Sequence, residues 1–331
     1  MAVLKPSLVK AYVSKIQQQR VLVIGDLMLD QFIWGQVSRI SPEAPVPVVL
    51  VTHDSAYPGG AANVARNLAD FGIAATVGGV LGNDQNGRLL KRLFQKAGIS
   101  TQCVLVLSDY STIVKTRIIA RHQQVVRVDR EHKCKIIDKE LQKLISLVEK
   151  IITNIDAIIL EDYGKGVISQ DFVKELVSIT SANAKILAAD PNINNPIDWS
   201  GVTIVKPNRK EAFSLAGFMT NEEDKSISEV GNTLLEKWKI PYLLITAGED
   251  GMYLFQSQHE PYHTPTKARE VYDVSGAGDT AIALFTSALA AGITGIEAAE
   301  IANHAAGVVV SKVGTATLQS DELLKSFIDN G

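Results

Sequence analysis

The chain has 331 residues, 46% hydrophobic and 21% charged, with 24 glycines and 11 prolines. These are globular proportions and exclude collagen-like, coiled-coil and disordered chains. Thirty-three basic against thirty-six acidic side chains leave a formal charge of −3, too even a balance to attract nucleic acid or an anionic membrane.

Met1 to Arg20 is amphipathic, with Lys5, Lys10, Lys15 and Arg20, and lacks the apolar stretch and small-residue cleavage site of a secretory leader. Val21–Ile24 is apolar and β-branched and predicts a buried strand. It leads into Gly25-Asp26-Leu27-Met28-Leu29-Asp30, which sets two carboxylates at a strand's carboxyl end. Asp26 and Asp30 suit sugar hydroxyls there, or equally the capping of local backbone amides. Gln31 to Thr52, with Pro42, Pro45 and Pro47 around a Val48–Val51 run, departs from any helical pattern. Gly59 and Gly60 then open the helical segment Ala62–Phe71. Two glycines let the backbone approach a compact ligand, with Asn63 adding a donor and an acceptor; a plain turn with tight helix packing is the alternative.

Asn86–Ala97 has helical spacing. Gly82 to Gly87 repeats the glycine spacing of a phosphate-binding P-loop, but Arg88-Leu89 stand where Lys-Ser/Thr is required. Cys103 to Asp129 alternates apolar and polar residues, as in Thr112 to Ile118, and predicts half-exposed antiparallel strands. With residues 31–55 these would form a small accessory sheet. The two cysteines, Cys103 and Cys134, make neither a CxxC pair nor a metal set with histidine, so a reducing, cytoplasmic setting fits and no metal ligands are assigned.

The strands Ala157–Leu160, Lys185–Ala189, Val202–Val205 and Tyr242–Thr246 alternate with the helices Lys139–Ile152, Asp171–Ser178 and Ser228–Trp238. That rhythm predicts one doubly wound α/β unit, its parallel sheet covered on both faces and its ligands bound beyond the strands' carboxyl ends. The run Thr280–Ile296, 17 residues without a charge, is too short to span a bilayer and predicts a buried helix.

Asp273-Val274-Ser275-Gly276-Ala277-Gly278-Asp279-Thr280 precedes that run. Its glycines allow a sharp turn into a helix N-terminus, whose free amides and dipole favour an anion, with the Asp279 carboxylate alongside. Anion hole and base are the two parts that phosphoryl transfer to a hydroxyl needs, although an aspartate also simply favours a helix start. The same residues match G-x-G-x-x-A, but a dinucleotide site would come early in a βαβ unit, with an acidic residue closing the next strand. Glu297 and Glu300 fall instead within a helical pattern.

Gly59 to Ala65 and Asp273 to Asp279 together resemble the two signatures of the ribokinase-like (PfkB) carbohydrate kinases. Lys206-Pro207-Asn208-Arg209-Lys210-Glu211 and Thr246-Ala247-Gly248-Glu249-Asp250-Gly251 fit between them in order. The resemblance covers nearly the whole chain. Within the family, Gly25–Asp30, Ser38–Pro47 and Asp162-Tyr163-Gly164-Lys165-Gly166 are most similar to members acting on heptose 7-phosphate.

The resemblance implies a Rossmann-like three-layer αβα body with a small β-sheet lid, dimerising through the lid, and transfer of a phosphoryl group from ATP with Mg²⁺. It implies that Asp279 is the base and Gly276, Ala277 and Gly278 the anion hole. Asn208 and Glu211 would organise Mg²⁺ and the nucleotide phosphates, Thr246, Gly248 and Gly251 would form the nucleotide loop, and Asn303 would flank adenine. Asp30, Gly59, Gly60 and Asn63 would contact the sugar, with Arg39 or Lys165 for its phosphate. A monovalent cation near Asp273 and Ser275 is a further implication. Other acceptors (a different sugar, sugar phosphate or nucleoside) and a non-catalytic sensor stay open. The histidines His53, His122, His132, His259, His263 and His304 contain no HxGH pair, so no nucleotidyltransferase activity is expected of these residues.

Overall fold

The computed structural model describes residues 4–121, 123–131, 136–218, 226–268, 270–312 and 314–329; Cys134, His122 and His132 lie outside them. The amino-terminal segment forms α1 (Pro6–Ile16), which buries Val9, Val13 and Ile16 and leaves its lysines outside. β1 (Arg20–Gly25) follows, then two long strands, β2 (Leu27–Ile40) and β3 (Pro47–Gly60). α2 (Ala61–Phe71), β4 (Ala74–Gly82), α3 (Gln85–Lys96) and β5 (Ser100–Leu107) return the chain to the body. β6 (Ile113–Ala120) and β7 (Gln123–Arg130) leave it again.

Next come α4 (Asp138–Ile151), β8 (Ala157–Glu161), α5 (Gln170–Ala182), β9 (Ile186–Asp190), β10 (Ile204–Val205) and α6 (Arg209–Leu215). The chain closes with α7 (Ile227–Trp238), β11 (Tyr242–Thr246), β12 (Met252–Gln256), β13 (Tyr262–Thr264), α8 (Ala277–Ala290), α9 (Gly295–Val310) and α10 (Ser320–Asp329).

Nine strands build the main sheet in the order β13-β12-β11-β10-β9-β8-β1-β4-β5. All neighbours are parallel except β11–β12 and β12–β13. One buried cluster packs α1, α2 and α8 on one side; a second packs α4, α5 and α7 on the other. The order of strand use reverses at β1: the chain goes first to β4 and β5, then crosses back to β8. Such a reversal opens a crevice at the carboxyl ends of the strands.

The second sheet has four strands, β3-β2-β6-β7. Its pairing begins at Leu27↔Gly60, two residues after β1 ends, so the first part starts before and ends after the expected 31–55. Asp30, Gly59 and Gly60 therefore belong to the small sheet itself. The expectation that 103–112 joins this sheet fails: Ser100–Leu107 pairs with β4 as an edge strand of the main sheet. An edge strand has one partner and half-exposed side chains, which gives the same alternation as a two-stranded flap. The uncharged 280–296 run is not one helix either; α8 stops at Ala290, Gly292 turns at φ +76°, and α9 starts at Gly295. No helix among the described residues is long and apolar enough to cross a membrane.

Candidate functional site

Asp279 lies in the first turn of α8, whose N-cap Gly276 has φ +84°. By position the amides of Ala277, Gly278 and Asp279 have no acceptor inside the helix. Asp273 fixes the approach, its Oδ1 accepting from the Ser275 amide at 2.9 Å. Gly278 faces Lys206: a Cβ there would sit 3.2 Å from its Nζ, close enough that the lysine tip would have to shift. The Asp279 carboxylate is partly exposed, and its Oδ2 accepts from Asn63 Nδ2 at 2.6 Å. Burial pushes its pKa up to about 6, against the opposing hydrogen bond from Asn63.

Asn63 belongs to α2, which starts at Gly60 (φ +60°), where a Cβ would come 2.6 Å from the Asp26 carbonyl. At Gly59 a side chain would meet Asp30 Oδ2 at 2.3 Å, so the residue keeps room for that carboxylate. Asn67 Nδ2 donates to the Asn63 carbonyl at 2.9 Å, and its Oδ1 accepts from Thr280 Oγ1 at 2.7 Å. These bonds lock α2 against α8 and fix the distance between the two glycine turns.

Sequence reasoning missed the middle of the site. Parallel register sets Glu161, the last residue of β8, beside Asp190, the last of β9, and opposite Gly25 of β1. Carboxylate oxygens of Glu161, Asp190 and Asp279 lie within 4.8 Å of one another. Lys206 Nζ, buried among them, bonds Asp190 Oδ2 at 2.8 Å, and that carboxylate holds the lysine above its ordinary pKa. Glu161 is fully buried, and burial together with the neighbouring carboxylates pushes its pKa well up. Tyr163 joins the group: burial and the Asp279, Glu161 and Asp190 carboxylates raise its hydroxyl pKa. Glu161 and Asp190 are each one acidic residue closing an ordinary apolar strand, and only the strand order shows that the ends meet.

Two buried polar atoms in this cleft, Asn63 Oδ1 and Glu161 Oε1, have no hydrogen-bond partner. Unmatched buried acceptors cost about 1–3 kcal/mol each, so their presence together marks a place for a ligand.

The other expected residues divide. Asp26 is not a ligand contact: its carboxylate accepts from the amides of Tyr163 (3.0 Å), Lys165 (2.9 Å) and Val167 (3.2 Å). Asp30 stands on β2 and is ion-paired to Arg117 of β6. Asn208 and Glu211 form the capping box of α6, with Asn208 Oδ1 accepting from the Glu211 amide and Glu211 Oε2 from the Asn208 amide. Burial and the Asp190 charge raise the Glu211 pKa, which places it against the carboxylate cluster.

Asn208 also bridges Thr246 at the end of β11, so the 246–251 loop borders the same crevice. Gly248 (φ +59°) and Gly251 (φ +87°) shape that loop, and a Cβ on Gly251 would strike the Thr264 carbonyl at 2.2 Å. Asn303 is buried and its amide is committed to protein, donating to Thr264 Oγ1 at 2.9 Å and the Pro265 carbonyl at 2.7 Å. It positions a wall rather than presenting a free side chain.

Of the two phosphate candidates, one is remote from the site and the other is already paired. Arg39 is exposed nine residues beyond Asp30 on β2, about 30 Å along the strand. Lys165 is paired with Glu131 at 2.6 Å.

The fold and this cleft define a carbohydrate kinase, a phosphotransferase with an alcohol as acceptor. Residues 18–322 match the pfkB family of carbohydrate kinases, and the chain belongs to that family. It is 42% identical over 317 residues to the bifunctional protein HldE of Desulfatibacillum aliphaticivorans, covering 96% of this chain and 65% of that protein. Identity to HldE of Geobacter sulfurreducens is 40% over 306 residues, 92% of this chain and 62% of the relative. The chain thus spans slightly under two thirds of the length of these relatives. Among solved structures it resembles Arabidopsis thaliana ribokinase complexed with ribose and ATP, with a TM-score of 0.70 and 18% identity over 94% of this chain and 99% of that one. Escherichia coli phosphofructokinase-2 in complex with potassium gives a TM-score of 0.75 at 17% identity, over 94% and 99%.

Proposed function

We propose that the chain transfers the γ-phosphoryl group of ATP to the anomeric hydroxyl of D-glycero-β-D-manno-heptose 7-phosphate, giving the 1,7-bisphosphate used in lipopolysaccharide core synthesis. The observation that carries the chemistry is the Asp279 carboxylate, partly open to the crevice and held by Asn63 in the first turn of α8, at the helix N-terminus. The acceptor assignment rests on likeness to the HldE relatives, heptose kinase/adenylyltransferases, over this part of their length.

Asp279 takes the hydroxyl proton as the oxygen attacks phosphorus. A pKa near 6 leaves it ionised at neutral pH yet basic enough to accept that proton. The 276–278 amides and Lys206 stabilise charge on the moving phosphoryl group, and Asn63 Oδ1 and Asp30 orient sugar hydroxyls. Thr246, Gly248 and Gly251 border the nucleotide, with Asn303 holding the neighbouring 264–265 turn. The small sheet serves as the lid that excludes water. Clustered hard oxygen donors, one of them the unpartnered Glu161 Oε1, suit Mg²⁺, and Glu161 and Asp190 would hold it with Glu211 behind. Bound there, Mg²⁺ neutralises phosphate charge. A monovalent cation beside Asp273 and Ser275 and a homodimer through the lid complete the reading.

The test is product analysis after incubation with ATP, Mg²⁺ and heptose 7-phosphate, for the wild type and Asp279→Asn. A 1,7-bisphosphate is expected from the wild type, and turnover lower by about 10²–10⁴-fold from the variant, with ATP affinity retained. Near-normal turnover of the variant removes Asp279 as base, and no product from the wild type removes the acceptor.

A further inference from the structure

Lys115 stands on β6 directly opposite Asp30 of β2, and Arg117 two residues on stands opposite Phe32. Paired residues project from the same face of a sheet, so Asp30, Lys115 and Arg117 share one face. That face looks into the crevice. Lys115 Nζ lies 5.9 Å from the centre of the Tyr163 ring, whose hydroxyl feels the Asp279 carboxylate.

The charges around this spot are unequal in their pairing. Arg117 is engaged by Asp30 and lies over the Phe32 ring. Arg127 of β7 holds Asp129, opposite Lys115, through two bonds of 2.9 Å. Lys165 holds Glu131. Each carboxylate on this rim thus already has its cation. Lys115 has no carboxylate within salt-bridge distance among the described residues, and it is half-buried, where an unmatched charge is held at a cost.

We propose that Lys115, with the remaining donors of Arg117, is the subsite for the phosphomonoester of the acceptor. The inference rests on the kinase reading above and specifies which end of the acceptor is recognised and by what. An acceptor reaching from Asp279 past Tyr163 brings a terminal phosphate to a rim position whose positive charge no carboxylate neutralises among the described residues. Asp30 serves both ends: it faces the sugar and holds the guanidinium fork in place for the phosphate. Neither Arg39 nor Lys165 meets these conditions.

The experiment compares heptose 7-phosphate with the unphosphorylated heptose, by calorimetric binding without ATP and by kcat/KM with ATP, for the wild type, Lys115→Met and Lys115→Arg. The wild type is expected to prefer the phosphorylated sugar, and Lys115→Met to reduce that preference by about 10–100-fold, as loss of one charged hydrogen bond would. KM for ATP should stay unchanged, and Lys115→Arg should restore most of the preference. Equal losses for both sugars, an equally raised KM for ATP, or a wild type indifferent to the phosphate would each overturn the subsite. Phosphate-dependent binding without turnover would instead sink the kinase reading and leave the subsite standing.

Discussion

Asn63 divides its amide between a committed donor and an orphan acceptor: Nδ2 is held by Asp279, while Oδ1 faces the cleft without a partner. The sequence pointed to Asn63 and Asp279 because each sits beside glycines whose purpose is local. The middle of the site, Glu161 and Asp190, carries no such local mark. Asn208 and Glu211 show the converse, since N-x-x-E spacing is also that of a capping box, and the structure uses it as one. His304 is a residue of the fold rather than the site. It is buried on α9, stacked on Phe327 at 3.7 Å between ring centres and bonded to Ser326 Oγ at 2.8 Å.

Burial, and then the Lys267 charge, push the His304 pKa down to about 4. The folded state therefore refuses a proton that the unfolded chain accepts below about pH 6.5. Stability should be complete above that pH and fall as pH drops toward 4, by about 3 kcal/mol from this group. Urea unfolding across that range should show the loss, and His304→Phe should flatten it. An unchanged slope in the variant would show that another group is responsible.

At the scale of elements, the buried apolar runs named from the sequence as main-sheet strands all form, Val202–Val205 only as the two residues of β10. β4 was not foreseen because Ala74–Gly82 is rich in small residues and carries little β propensity, although it lies next to the central strand. β12 and β13 are short and antiparallel, outside the alternating rhythm. Register between strands is what one sequence hides most completely. Gly25 is the clearest case: it pairs with Glu161, and a Cβ there would lie 2.1 Å from the Glu161 carbonyl oxygen. Gly25→Ala must therefore push β1 from β8 at the floor of the cleft. We expect a loss of about 1–3 kcal/mol in chemical unfolding, together with reduced turnover. A variant as stable as the wild type would mean that the two strands separate without cost.

For the whole molecule, the α/β class and the accessory sheet were visible in two kinds of periodicity, but their junction was not. The site lies where the strand order reverses, and the small sheet is rooted in the same place through β2 and β3. The edge strand β7 of that sheet carries exposed apolar side chains, with Val126 45% and Val128 44% accessible. Exposed apolar faces of this kind favour self-association, and a two-fold pairing would cover both copies at once. Sedimentation at micromolar concentration should give a dimer for the wild type and a monomer for Val126→Glu combined with Val128→Glu. A wild type that sediments as a monomer would remove the lid-mediated homodimer.

Asp26 gathers three amides of the 163–167 loop at the very root of the small sheet. Such a clasp denies the base of the flap any hinge, so bending must occur farther out, where pairing slips at Trp34/Gly35 and Val37/Arg39. Tyr163 and Asp30 then keep their mutual spacing in the empty enzyme, and slow deuterium uptake at the 163–167 amides before any ligand arrives would be the mark of a mould cast in advance.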